Sequence, residues 1–113
     1  MLVLIASESS FETRYEHLRA GARLNSRVAI AVEWMDGGKN ERAEGYTVDV
    51  GPKGCLAIVQ HKFTVGQKLQ LTNLINKKTG EAILIWRGHE RQTGWELGLE
   101  IQGKTEDFWE IQF

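Results

Sequence analysis

The sequence has one cysteine, one proline and almost no net charge, and each scarcity excludes something. A lone Cys55 forms no internal disulfide, which fits a reducing compartment rather than a disulfide-stapled secreted domain. Its neighbours Leu56, Ala57 and Ile58 mark it as a buried, inert thiol rather than a nucleophile. With Pro52 the single proline and no low-complexity stretch, order is expected almost throughout. The formal net charge of -1 argues against a general binder of nucleic-acid polymers, which carries a basic excess. It leaves room for a small anionic ligand, which needs only a local basic patch. Apolar runs are short as well. The opening run, residues 1–6, falls far below the ~20 residues that span a bilayer, so no membrane span is expected. It has no basic stretch ahead of it, so no signal peptide is expected either, and the expected location is cytoplasmic. His17, His61 and His89 lie far apart, without the spacing of metal ligands. No phosphate-loop or dinucleotide-binding glycine pattern is present, and no carboxylate pairs with a nucleophile or base. A binding protein without cofactor or metal is therefore expected, not an enzyme.

What is present is alternation. The 113 residues fit one domain with a modest core. From Val28 the larger side chains Val28, Ile30, Val32 and Trp34 alternate with Ala29, Ala31 and Glu33, as in a strand with one buried face. Asp36-Gly-Gly-Lys39 reads as a turn. Tyr46, Val48 and Val50 alternate against Thr47 and Asp49. Gly51-Pro-Lys-Gly54 breaks that strand, and residues 55–60 resume as one that is apolar on both faces. Leu69 and Leu71, then Ala82, Leu84 and Trp86, then Trp95, Leu97, Leu99 and Ile101 give the remaining alternating rows, with turns at Thr64–Gly66 and Asn76–Gly80. About six short strands separated by turn signals predict an all-β, antiparallel six-stranded barrel, whose closure removes exposed sheet edges. Asp107-Phe108-Trp109 reads as an aromatic plug or helical turn over one barrel mouth.

Ahead of the barrel (residues 22–113) lies an extension, residues 1–21. A short strand is expected over 1–7. Ser9-Ser-Phe-Glu12 has capping-box spacing, Phe11, Tyr15 and Leu18 come next at helical spacing, and Gly21 is a stop. A short helix of about three turns is expected in this N-terminal arm.

Two spaced signals border the barrel. Arg23-Leu-Asn-Ser-Arg27 is an R-x-x-x-R just before the first strand. Asp49-Val-Gly-Pro-Lys-Gly54 sits at the break between the second and third. Together with Ile83-Leu-Ile-Trp86 and Glu96-Leu-Gly-Leu-Glu100, this set resembles the PilZ family of bacterial cyclic di-GMP receptors over about residues 22 to 101. Arg19 and Arg23 offer a second register; the later one abuts the strand, as in that family. The resemblance implies a split barrel that binds cyclic di-GMP through Arg23, Arg27, Asp49, Gly51 and Gly54, with the arm closing over the ligand. It also implies a protein partner in motility, pilus or exopolysaccharide control. The residue types suit the ligand. Guanidinium groups fork onto phosphate or guanine O6 and N7, and a carboxylate accepts from guanine N–H donors. Gly51 stands where that family usually has serine, and Leu24 where it often has another arginine. A missing hydroxyl removes about 0.5–1.5 kcal/mol of binding, or about 1.5–3 with a charged acceptor.

Blander readings stand beside these. Arg23 and Arg27 can be a solvated arm, and Asp49 a turn-capping residue beside Gly51 and Pro52. Trp34, Trp86, Trp95 and Trp109 suit core or mouth packing better than a base-stacking platform. A nucleotide sensor thus has two alternatives: a degenerate PilZ-like protein-interaction module that does not bind the nucleotide, and a small nucleic-acid-binding barrel, which the net charge disfavours.

Overall fold

The computed structural model describes residues 11–18, 23–103, 107–111 and 113. The strand expected over residues 1–7, the cap at Ser9, the stop at Gly21 and the role of Arg19 lie outside the described residues. Six strands form in chain order: β1 (Ala29–Asp36), β2 (Lys39–Gly51), β3 (Gly54–Val59), β4 (Lys68–Asn73), β5 (Thr79–Arg91) and β6 (Gly94–Ile101). They close antiparallel in the order β1-β2-β3-β6-β5-β4, with β1 pairing back onto β4. Residues 11–18 form one short helix, α1. No helix among the described residues is long and apolar enough to cross a membrane.

The alternating rows fill the barrel. Ile30, Val32, Val50, Ala57, Val59, Leu71, Ala82, Leu84, Leu97 and Leu99 have no exposed surface and belong to one cluster. Fully burying one such Val, Ile or Leu is worth about 1.5–3 kcal/mol. Truncating any of these leucines to alanine costs about 2–5 kcal/mol. The β1–β2 turn uses Gly37 and Gly38 at φ 58° and 84°, the left-handed pair that a tight hairpin needs. Phe108 and Trp109 pack edge to face at 4.8 Å and are buried in the same cluster. The Phe108 carbonyl accepts from the side chains of Asn73 (3.0 Å) and Asn76 (3.1 Å), which ties the aromatic plug to the end of β4.

Register shifts interrupt the simple alternation at one place on β2 and at two on β5, the later of these between Arg87 and Glu90. On β2 the register shifts between Thr47 and Asp49, leaving Val48 unpaired. Thr47 is therefore buried opposite Ala57, while Tyr46 and Asp49 lie on the outer face. On β5 the register shifts between Leu84 and Trp86, leaving Ile85 unpaired. An extra residue in one strand moves every later side chain to the opposite face. Trp86 thus leaves the row of Ala82 and Leu84 and stands outside the barrel, opposite Gly98 on β6.

Candidate functional site

The outer wall where β2, β3 and β6 meet gathers most of the chemistry expected from the sequence. The segment before β1 runs antiparallel to the end of β2, with Leu24 and Val50 exchanging two main-chain hydrogen bonds of 2.9 Å each. This carries Arg23 to the β2–β3 break, where a guanidinium nitrogen lies 3.4 Å from an Asp49 carboxylate oxygen. Arg23, Asp49, Gly51 and Gly54 line one recess, whose floor is Cys55 and Leu56. Four of the five expected site residues therefore come together. Arg27 is elsewhere, its guanidinium 4.0 Å from the centroid of the Tyr46 ring, which also sits on β2. The Tyr46 hydroxyl in turn shares a 2.7 Å hydrogen bond with Thr93 in the β5–β6 hairpin.

The recess is filled. Tyr15 and Leu18 of α1 complete its lining and leave a volume of about 10 Å³. Tyr15 stacks parallel on Trp86, with centroids 4.6 Å apart and planes 2° from coplanar. It can approach because β6 carries Gly98 there: a Cβ at that position would lie 2.8 Å from the Tyr15 ring. Leu18 sits over Gly54 in the same way, with its Cδ1 3.0 Å from where a Cβ would be. On the same face of the helix as Leu18, Arg14 forks onto both carboxylate oxygens of Glu100, one nitrogen–oxygen contact being 3.2 Å. Arg14 holds the Glu100 carboxyl below the usual glutamate range; burial opposes this, and a hydrogen bond from Gln102 adds to it. Beside the filled recess lies an open groove of about 320 Å³, lined by Arg14, His17, Leu18, Pro52, Lys53 and Glu100. Its rim carries more cationic than anionic side chains, so it suits an anion.

The sequence did not mark Arg14, Trp86, Gly98 or Glu100 as site residues. Only one signal pointed to them. The third strand reads as apolar on both faces, which requires something to cover its outer side.

The Cys55 thiol is buried, and burial, with the charge of Asp49 second, pushes its pKa far up. No cluster of His, Cys, Asp or Glu able to hold a metal ion occurs among the described residues.

The fold defines the class of protein as a closed six-stranded antiparallel β-barrel with one short helix on its outer wall. Compared with known proteins, the chain matches no family model, no curated protein and no solved structure.

Proposed function

We propose that the chain is a sensor domain similar to PilZ, which binds cyclic di-GMP on the outer wall at the β2–β3 break and acts without catalysis in the bacterial cytoplasm. The observation that carries this reading is the convergence of Arg23, Asp49, Gly51 and Gly54 on one recess from two separate sequence signals. The chemistry is coherent. Arg23 exchanges its Asp49 partner for a ligand phosphate, which frees the carboxylate to accept from guanine N–H groups. Arg27, whose guanidinium lies over the Tyr46 ring at 4.0 Å, is a second cation of the kind that stacks on a base. The bound state then presents a changed outer wall to a protein partner in motility, pilus or exopolysaccharide control.

A second reading is a PilZ-like module that works through protein contacts without the nucleotide. The filling of the recess by Tyr15 and Leu18 favours it, as does Gly51 in the place of the family serine. Calorimetric titration with cyclic di-GMP, with GMP as control, separates the two. Saturable binding of the cyclic dinucleotide alone supports the sensor. Absence of heat and of any spectral change gives first place to the interaction module.

A further inference from the structure

We infer that α1 is a built-in competitor for the ligand ground: it docks in the recess in place of a nucleotide, and binding requires that it leave. The inference rests on the cyclic di-GMP reading and deepens it by naming how the same site is regulated.

Three contacts of different kinds hold α1 on the wall. Tyr15 lies flat on Trp86 above Gly98, and it is only 8% exposed. Leu18 packs onto Gly54. Arg14 forks onto Glu100. The two glycines make a smooth floor on neighbouring strands, since Gly54 pairs with Glu100 and Leu56 pairs with Gly98. A side chain at Gly98 would push on the Tyr15 ring, whereas one at Gly54 would meet the Leu99 carbonyl of β6 before it met Leu18.

Volume decides that occupancy is exclusive. With α1 docked, the space among Arg23, Asp49, Gly51 and Gly54 is about 10 Å³, roughly enough for one water molecule. Pockets that take drug-sized ligands measure about 300 Å³ or more. Ligand and helix therefore cannot share the recess. The groove at its side, about 320 Å³, borders Arg14 and Leu18 and offers a way in for an anion before the helix moves.

The fastening is strong enough to occupy the site and weak enough to yield. The Arg14–Glu100 pair is partly exposed, with side chains 31% and 22% accessible, and such pairs contribute little. An occluding equilibrium of this kind divides the intrinsic dissociation constant by the fraction of molecules that are open, which weakens apparent binding. Loosening the helix must then tighten ligand binding.

The test uses the full chain and two readouts. Hydrogen exchange of the amides of residues 11–18 reports docking, and calorimetry with cyclic di-GMP reports affinity. Tyr15→Ala removes the stack without touching the barrel core, and Arg14→Ala is the second variant should the first fold poorly. Faster exchange in the variant together with binding about tenfold tighter supports the inference, as does faster exchange of 11–18 in the wild type at saturating ligand. Binding that leaves exchange of 11–18 unchanged, or a released helix with unchanged affinity, overturns it while the sensor reading stands. No binding by wild type or either variant overturns both.

Discussion

The hydroxyl of Thr47 accepts the Val28 main-chain N–H at 2.8 Å and donates to the carbonyl of Ser26, so one buried side chain on the β2 bulge anchors the chain that leads from the arm into β1. Thr47 is 1% exposed, and no water can replace that hydroxyl. Thr47→Val keeps the shape and leaves the Val28 N–H buried without a partner. The expected cost is about 1–3 kcal/mol of folding stability. Urea unfolding should give a lower midpoint at an unchanged slope, and Thr47→Ser should recover most of it. Equal midpoints for valine and threonine would mean that the anchor is idle.

The Arg14–Glu100 pair predicts acid release of α1. Arg14, first among the causes, depresses the Glu100 carboxyl, with Gln102 and Lys53 acting in the same direction and burial against them. A carboxyl whose folded value is lowered stabilises the folded arrangement above its unfolded value of about 4.3 and loses that contribution as pH falls through the lowered value. The pair's contribution to docking is thus fully present at neutral pH and is lost only on strong acidification. His17, Arg14 and Lys53 line the same groove, and Glu100 is the one carboxylate among its lining residues, so its neutralisation leaves Arg14 and Lys53 without a countercharge there. Hydrogen exchange of 11–18 against pH should speed up in this acid window in the wild type. In Glu100→Gln exchange should be modestly faster at neutral pH and should lack this acid step, since the pair is only part of the fastening. An identical acid transition in that variant would assign it to another group.

Much of the barrel was legible because its inner rows alternate cleanly. Ile30, Val32 and Trp34, or Leu97, Leu99 and Ile101, are apolar at every second position and all turn inward. The bulges were not legible. Val48 and Ile85 continue an apolar run as well as any paired residue, and nothing local says that the ladder skips them. The error falls on Trp86, which reads as the next inner residue and instead becomes the outer platform for Tyr15. The first half of β2, Lys39 to Glu44, showed only its opening turn residue in the sequence, because a solvent-facing ribbon has no apolar period to read. At the site, Arg23, Asp49, Gly51 and Gly54 could be grouped from two short motifs. The Arg14–Glu100 pair joins residues 86 positions apart, and only the folded sheet order brings them together. The helix itself was visible in Phe11, Tyr15 and Leu18; the wall it covers was not.

Cys55 offers a chemical probe of barrel opening. Its thiol is 2% exposed, and burial, then the nearby Asp49 charge, pushes it up, so little thiolate exists at mildly alkaline pH. The native chain should resist iodoacetamide and aromatic disulfide reagents, and concentrated guanidinium chloride should release one reactive thiol per chain. Modification in dilute urea should track global unfolding. Rapid labelling of the native protein would show that the wall opens far more readily than its packing implies.

The two arginines of the R-x-x-x-R segment occupy different places, and that separates their contributions to a ligand. Arg23 is paired with Asp49 at 3.4 Å in the recess, whereas Arg27 lies over Tyr46. A cyclic dinucleotide that bridges both should lose about 1.5–3 kcal/mol of binding in either Arg23→Ala or Arg27→Ala, as for a charged hydrogen bond. That is roughly ten- to a hundredfold in Kd. Gly51→Ser should act oppositely. Gly51 is not among the glycines with left-handed φ, so a serine there meets no backbone strain of that kind, and once α1 has left the recess its hydroxyl supplies a donor beside Asp49. Calorimetry on the three variants gives distinct patterns. Loss in both arginine variants with a gain in Gly51→Ser fits a ligand spanning from the recess to Tyr46. Loss in Arg23→Ala alone confines the ligand to the recess and leaves Arg27 as a clamp on Tyr46. Binding by Gly51→Ser and not by the wild type makes the natural chain a module working through protein contacts, one hydroxyl short of a nucleotide receptor.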